Sequence, residues 1–89
     1  MKVAIRLLGS LRTITGESLT RLEVIEGSNL EAVLYELGAK YPPLLDFIKK
    51  VPRTSLILIN GVEVGNLQGN KTIVEADTNI TILPVVHGG

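Results

Sequence analysis

The last two residues of this 89-residue chain, Gly88-Gly89, are the ones whose type and position could do chemistry. A carboxylate at Gly89 has no side chain beside it, and two glycines leave the backbone free to take almost any φ and ψ. Such a tail can thread a narrow channel into another protein's active site. There the carboxylate could attack a nucleotide α-phosphate, and the acyl-adenylate formed would present an activated carbonyl to a sulfur or an amine. At about 7% average glycine usage, two terminal glycines arise by chance with a probability of roughly 0.005. Frayed chain ends carry glycines too, so the pair alone leaves both readings open.

Other chemistries lack their residues. His87 is the only histidine, and a place three residues from the terminus cannot hold it against a serine and a carboxylate as a nucleophilic triad requires. A titratable group two residues before the reacting carboxylate could tune docking near neutral pH. A lone tail histidine with no partner to fix its role is the blander reading. One histidine without cysteine supplies no metal cluster. Glu75 and Asp77 read as turn residues and not as an acid/base pair. Gly61 and Gly65 are not followed by a Lys-Ser/Thr pair and a helix, as a phosphate-binding loop would be. With no cysteine in the chain, disulfides and thiol nucleophiles are excluded, so any sulfur handled here must ride on another group.

Nine basic residues balance nine acidic ones, which leaves no net field to draw in nucleic acid or an anionic membrane. The densest basic stretch, Lys40 to Arg53, also holds Asp46 and reads as a solvated helix face. Hydrophobic residues form 45% of the chain and charged residues 20%, enough apolar material for one core and too little length for two. No apolar run reaches the roughly 20 residues of a membrane span, and no signal core opens the chain. A cytoplasmic location is expected.

The elements that must carry the tail follow from periodicity. Lys2 to Leu8 alternates with Val3, Ile5 and Leu7 on one face, and Thr20, Leu22 and Val24 alternate likewise, so two strands should form a hairpin with a wide loop. Ser28 with Glu31 fits a capping box, after which Leu30, Val33, Leu34, Leu37 and Tyr41 recur on one helical face. Gly38 and Pro42-Pro43 should end that helix, with a further turn or two from Leu44 to Ile48. Tyr35, Tyr41 and Phe47 all fall in this helical half and are expected to pack there. Leu56-Ile57-Leu58-Ile59 suggests a central strand covered on both faces, and Asn60-Gly61 supplies a hairpin turn into residues 62–64. A Gly- and Asn-rich loop and a short 72–74 segment lead to a last strand from Ile80 to Leu83. Strand, strand, helix, strand, short strand, strand is the order of a β-grasp: an α+β fold with a mixed sheet of four to five strands on one main helix. Residues 1–84 form the domain and 85–89 the tail.

Taken together, Ile5 to Arg12 followed by Gly16, the middle Leu58-Ile59-Asn60-Gly61, and the ending Leu83-Pro84-Val85-Val86-His87-Gly88-Gly89 resemble the small subunit of molybdopterin synthase. The sulfur carrier of thiamine biosynthesis and the ubiquitin-related modifiers are similar in fold and ending. The resemblance implies that a partner ATP-dependent enzyme adenylates Gly89 and that the carboxylate becomes a thiocarboxylate. It implies further that the sulfur is given up inside the large subunit of molybdopterin synthase. On that reading the chain has no autonomous catalysis and binds no cofactor, the ATP being used by its partner. Leu8, Leu83, Pro84, Val85, Val86 and His87 would meet the partner enzymes, and Gly88 and Gly89 would enter the reaction. The family often carries bulky aromatics where this chain has Leu7-Leu8 and Ile82-Leu83, and a small residue where it has His87. These departures keep the sulfur-carrier class and leave the pathway open, with conjugation to lysines as the alternative.

Overall fold

The computed structural model describes residues 1–50 and 55–85. Its strands are β1 (Lys2–Leu7), β2 (Leu19–Glu23), β3 (Ser55–Ile59), β4 (Val62–Glu63) and β5 (Asn79–Pro84). Its α-helices are α1 (Ser10–Thr15), α2 (Leu30–Lys40) and α3 (Leu45–Lys50). The strands make one mixed sheet in the order β2-β1-β5-β3-β4, with β1 and β5 parallel at its centre and the other pairs antiparallel. This is the expected β-grasp, with α2 as the main helix laid on one face.

Alternation decides which side chains meet that helix. Val3, Ile5 and Leu7 of β1, Ile57 and Ile59 of β3, and Ile80 and Ile82 of β5 all point inward and are buried. From α2 they meet Leu30, Val33, Leu34 and Leu37, the stripe that the 3.6-residue period picks out. At about 1.5–3 kcal/mol per fully buried side chain, this stripe outweighs any single capping bond several-fold. Burial therefore decides whether α2 forms, and the cap decides where it starts. Tyr41 and Phe47 are partly buried against the same core.

Several local expectations are corrected. The β1–β2 loop contains a helix, α1, anchored by the buried Leu11 between Gly9 (φ +58°) and a left-handed Gly16 (φ +75°). The cap of α2 is Asn29, whose Oδ1 accepts from the Ala32 amide at 2.9 Å, while the Ser28 hydroxyl turns back to the Ile25 carbonyl. Gly38 lies inside α2 instead of ending it. A Cβ there would stand 2.7 Å from Leu45 Cδ2 and 3.1 Å from Ile48 Cδ1, so any larger residue would make those α3 side-chain ends shift. The helix stops at Lys40 because Pro42 forces Tyr41 out of helical backbone (φ −126°, ψ 81°). Leu56 and Leu58 face away from the core, so β3 is covered on one face only. Tyr35 is 72% exposed, on the side of α2 opposite the buried stripe.

The Asn60-Gly61 turn is as read, both residues at positive φ (49° and 83°). Residues 72–74 bridge to the start of α2, with the Leu30 amide donating to the Thr72 carbonyl and the Val74 amide to that of Ser28. Asn29→Ala should cost about 1 kcal/mol in urea unfolding. Ser28→Ala should cost less than half as much, and equal losses would restore Ser28 as the cap.

Candidate functional site

The site is built where β1 and β5 end together. Leu7 is paired with Ile82, and the Leu8 amide donates to the Ile82 carbonyl at 3.1 Å, so Leu8 continues the ladder beside Leu83. Leu83 is paired in turn with Leu56 across the antiparallel β5–β3 ladder. Because Leu7, Ile82 and Ile57 point into the core, alternation turns Leu8, Leu83 and Leu56 outward as one row across three strands. Leu83 is 39% and Leu56 36% exposed, and Leu8 is half-buried.

The next row of the same face is Leu19, Arg6, Thr81 and Leu58, set by the pairs Arg6↔Leu19, Arg6↔Thr81 and Leu58↔Thr81. A leucine-rich surface with one guanidinium in it thus lies on the face of the sheet opposite α2. No charge interrupts the first row. Beyond it Gly9, at a φ that side chains rarely adopt, turns the chain out of β1 into α1 and lies beneath the Pro84 ring. Pro84 closes β5, and Val85 follows it, exposed.

Of the residues singled out in the sequence, Leu8, Leu83, Pro84 and Val85 are thereby gathered at one end of the sheet. Val86, His87, Gly88 and Gly89 lie outside the described residues. Leu56 belongs to the row and was missed, because an unbroken apolar run conceals which of its members face outward. Its partner Leu83 was the available signal. Among the described residues no group of three or more His, Cys, Asp or Glu side chains could hold a metal ion. No helix among them is long and apolar enough to cross a membrane.

An outward leucine and an inward isoleucine, adjacent on β5, should respond oppositely to charge. Leu83→Asp is expected to keep the chain folded and to lower its stability by at most about 1 kcal/mol. Ile82→Asp should prevent folding, because the core offers its carboxylate no partner. Thermal melts followed by circular dichroism decide this, and equal losses would mean that Leu83 belongs to the core.

The whole architecture recurs in solved structures. Small archaeal modifier protein 1 from Methanosarcina acetivorans is 32% identical, with 99% of this chain and 96% of that one covered and a TM-score of 0.83. CysO of Mycobacterium tuberculosis, described as an antigen, is 25% identical over 94% of this chain and 99% of its own, with a TM-score of 0.77. A Pyrococcus furiosus protein assigned as molybdopterin converting factor subunit 1 shares the fold at 16% identity, 96% and 98% coverage and a TM-score of 0.76. No curated protein matches the chain by sequence. A family model, that of the ThiS family, matches residues 5–89, nearly the entire length and including the Gly-Gly ending. With that match and this fold, the chain belongs to the ThiS family of ubiquitin-like sulfur carriers.

Proposed function

We propose that this chain carries sulfur on the carboxyl group of Gly89 and delivers it in molybdopterin synthesis. A partner activating enzyme supplies ATP. The Gly89 carboxylate attacks the α-phosphate and pyrophosphate leaves. A sulfur nucleophile then adds to the acyl carbon and displaces AMP, and a thiocarboxylate results. If that nucleophile is a persulfide, a thiol must reduce the acyl disulfide that forms first. The thiocarboxylate would enter the large subunit of a molybdopterin synthase and give its sulfur to the pterin precursor.

The observation that carries this reading is the outward row Leu8, Leu83 and Leu56 at the place where β5 hands the chain on toward Gly88-Gly89. An apolar surface beside the tail gives a partner something to bind while the last residues enter its active site. No acid, base or nucleophile of this chain flanks the Gly-Gly ending in sequence except His87, so the partner must choose what meets the acyl-adenylate. The molybdopterin recipient is favoured by the Leu11-Arg12 segment and the Pro84-Val85 approach to the glycines, which the small subunit of molybdopterin synthase resembles.

A second reading has its own support. The solved structure that is 32% identical is named a modifier, and a modifier's acyl group would go to a lysine amine in place of sulfur. Both fates share the adenylation step and diverge after it.

Incubating the chain with its activating enzyme, ATP, a persulfide donor and a thiol should raise its intact mass by one sulfur less one oxygen. Gly89→Ile should abolish that product, because a β-branched side chain crowds the carboxylate. Deleting Gly88 and Gly89 should abolish it too while leaving the melting temperature nearly unchanged, since β5 already ends at Pro84. Lysine-linked adducts in cell extract without any mass change would establish the modifier reading instead. A large loss of stability on deletion would contradict a carrier tail.

A further inference from the structure

A second surface lies along the free edge of β2. Being the terminal strand of the sheet, β2 has, among the described residues, a neighbour on one side only. The Leu7 amide donates to the Ser18 carbonyl and the Val24 amide to that of Met1, so even-numbered residues of this stretch bond to β1. Alternation then turns the amides of Leu19, Arg21 and Glu23 away from β1. An unpaired edge of this kind is a template for another strand unless something covers it.

Only part of it is covered. Lys40, at the end of α2, reaches across to the Thr20 hydroxyl at 2.7 Å and the Arg21 carbonyl at 3.2 Å, and so closes one end. At the other end α2 and the strand stand apart, leaving a groove of about 540 Å³. Its apolar walls are Val24 and Ile25 on one side and Ala32 and Tyr35 on the other. Ile25 is 84% exposed, an unusual position for an isoleucine beside a second exposed apolar side chain. Glu31 and Glu36 also line the groove, and among the described residues no cationic side chain does.

We propose that this groove takes an extended segment of a partner protein, apolar at its centre and flanked by lysine or arginine, added as a strand along β2. The open amide of Glu23 fixes the backbone, the Ile25–Tyr35 cleft takes apolar side chains, and the two carboxylates select a basic flank. Lys40 limits the added strand to the Leu22–Ile25 end. The tail takes no part, so a partner held here could be bound while Gly89 reacts elsewhere.

The probe is an acetylated and amidated peptide, Lys-Lys-Val-Ile-Val-Lys-Lys, titrated into the isotope-labelled full chain and followed by amide chemical shifts. Shifts should concentrate at Glu23, Ile25, Ala32 and Tyr35. Changing Glu31→Gln and Glu36→Gln together should weaken binding about three- to tenfold, the scale of two exposed ion pairs. Ile25→Lys should abolish it without affecting the fold, because that side chain is exposed. Replacing the peptide's isoleucine with proline should also abolish binding, since proline cannot donate to a ladder. No shift at millimolar peptide, equal binding of a glutamate-flanked peptide, or shifts confined to Leu8, Leu56 and Leu83 would overturn the proposal. Concentration-dependent shifts in the protein alone would overturn it in favour of a second copy as the occupant.

Discussion

The parallel pairing of β1 with β5 is the contact on which the rest depends. Parallel neighbours cannot be joined by a tight turn, so everything between residues 7 and 79 must cross from one end of the sheet to the other. That crossing carries α2 over one face of the sheet, where it buries the inward residues of four strands. It also brings the end of the first strand and the end of the last to the same end of the sheet. Leu8 and Leu83 become neighbours although 75 positions separate them in sequence. The chain therefore leaves its last strand beside an apolar row, whatever the loops do.

The two faces of the sheet are consequently unequal. On the α2 side, isoleucine, leucine and valine close against the helix, and the fold draws its stability from them. The other side leaves leucines partly exposed beside Arg6, where they add little to stability. With no cysteine in the chain, folding is independent of thiol chemistry.

Much of this was legible in local patterns. Period-two alternation placed β1 and β2, and Asn60-Gly61 placed the β3–β4 turn, because positive φ at two successive residues is a demand few dipeptides meet. The buried stripe of α2 was legible from its 3.6-residue period, but Tyr35, expected to pack in the same half, points away from it. What was not legible depends on partners distant in sequence. Leu56 to Ile59 is uniformly apolar, and only pairing with β5 separates Leu56 and Leu58 from Ile57 and Ile59. The short α1 rests on one buried side chain, Leu11, and its flanking glycines are equally those of a loop. Ser28 and Asn29 are both good capping residues, and the bond to Ala32 alone tells them apart. Of the candidate site, the glycines were evident from their place, and Leu8 and Leu83 through resemblance to a known family. Leu56 needed the sheet register.

The central claim is that the outward row of leucines and the tail act as one docking element for the activating enzyme. Hydrogen–deuterium exchange of the chain, alone and with that enzyme, tests it most directly. Slowed exchange at Leu8, Leu56, Leu83 and Val85, with α2 unaffected, is the result this account predicts. Protection confined to α2 and the β2 edge, with the leucine row exchanging as in the free chain, would contradict it.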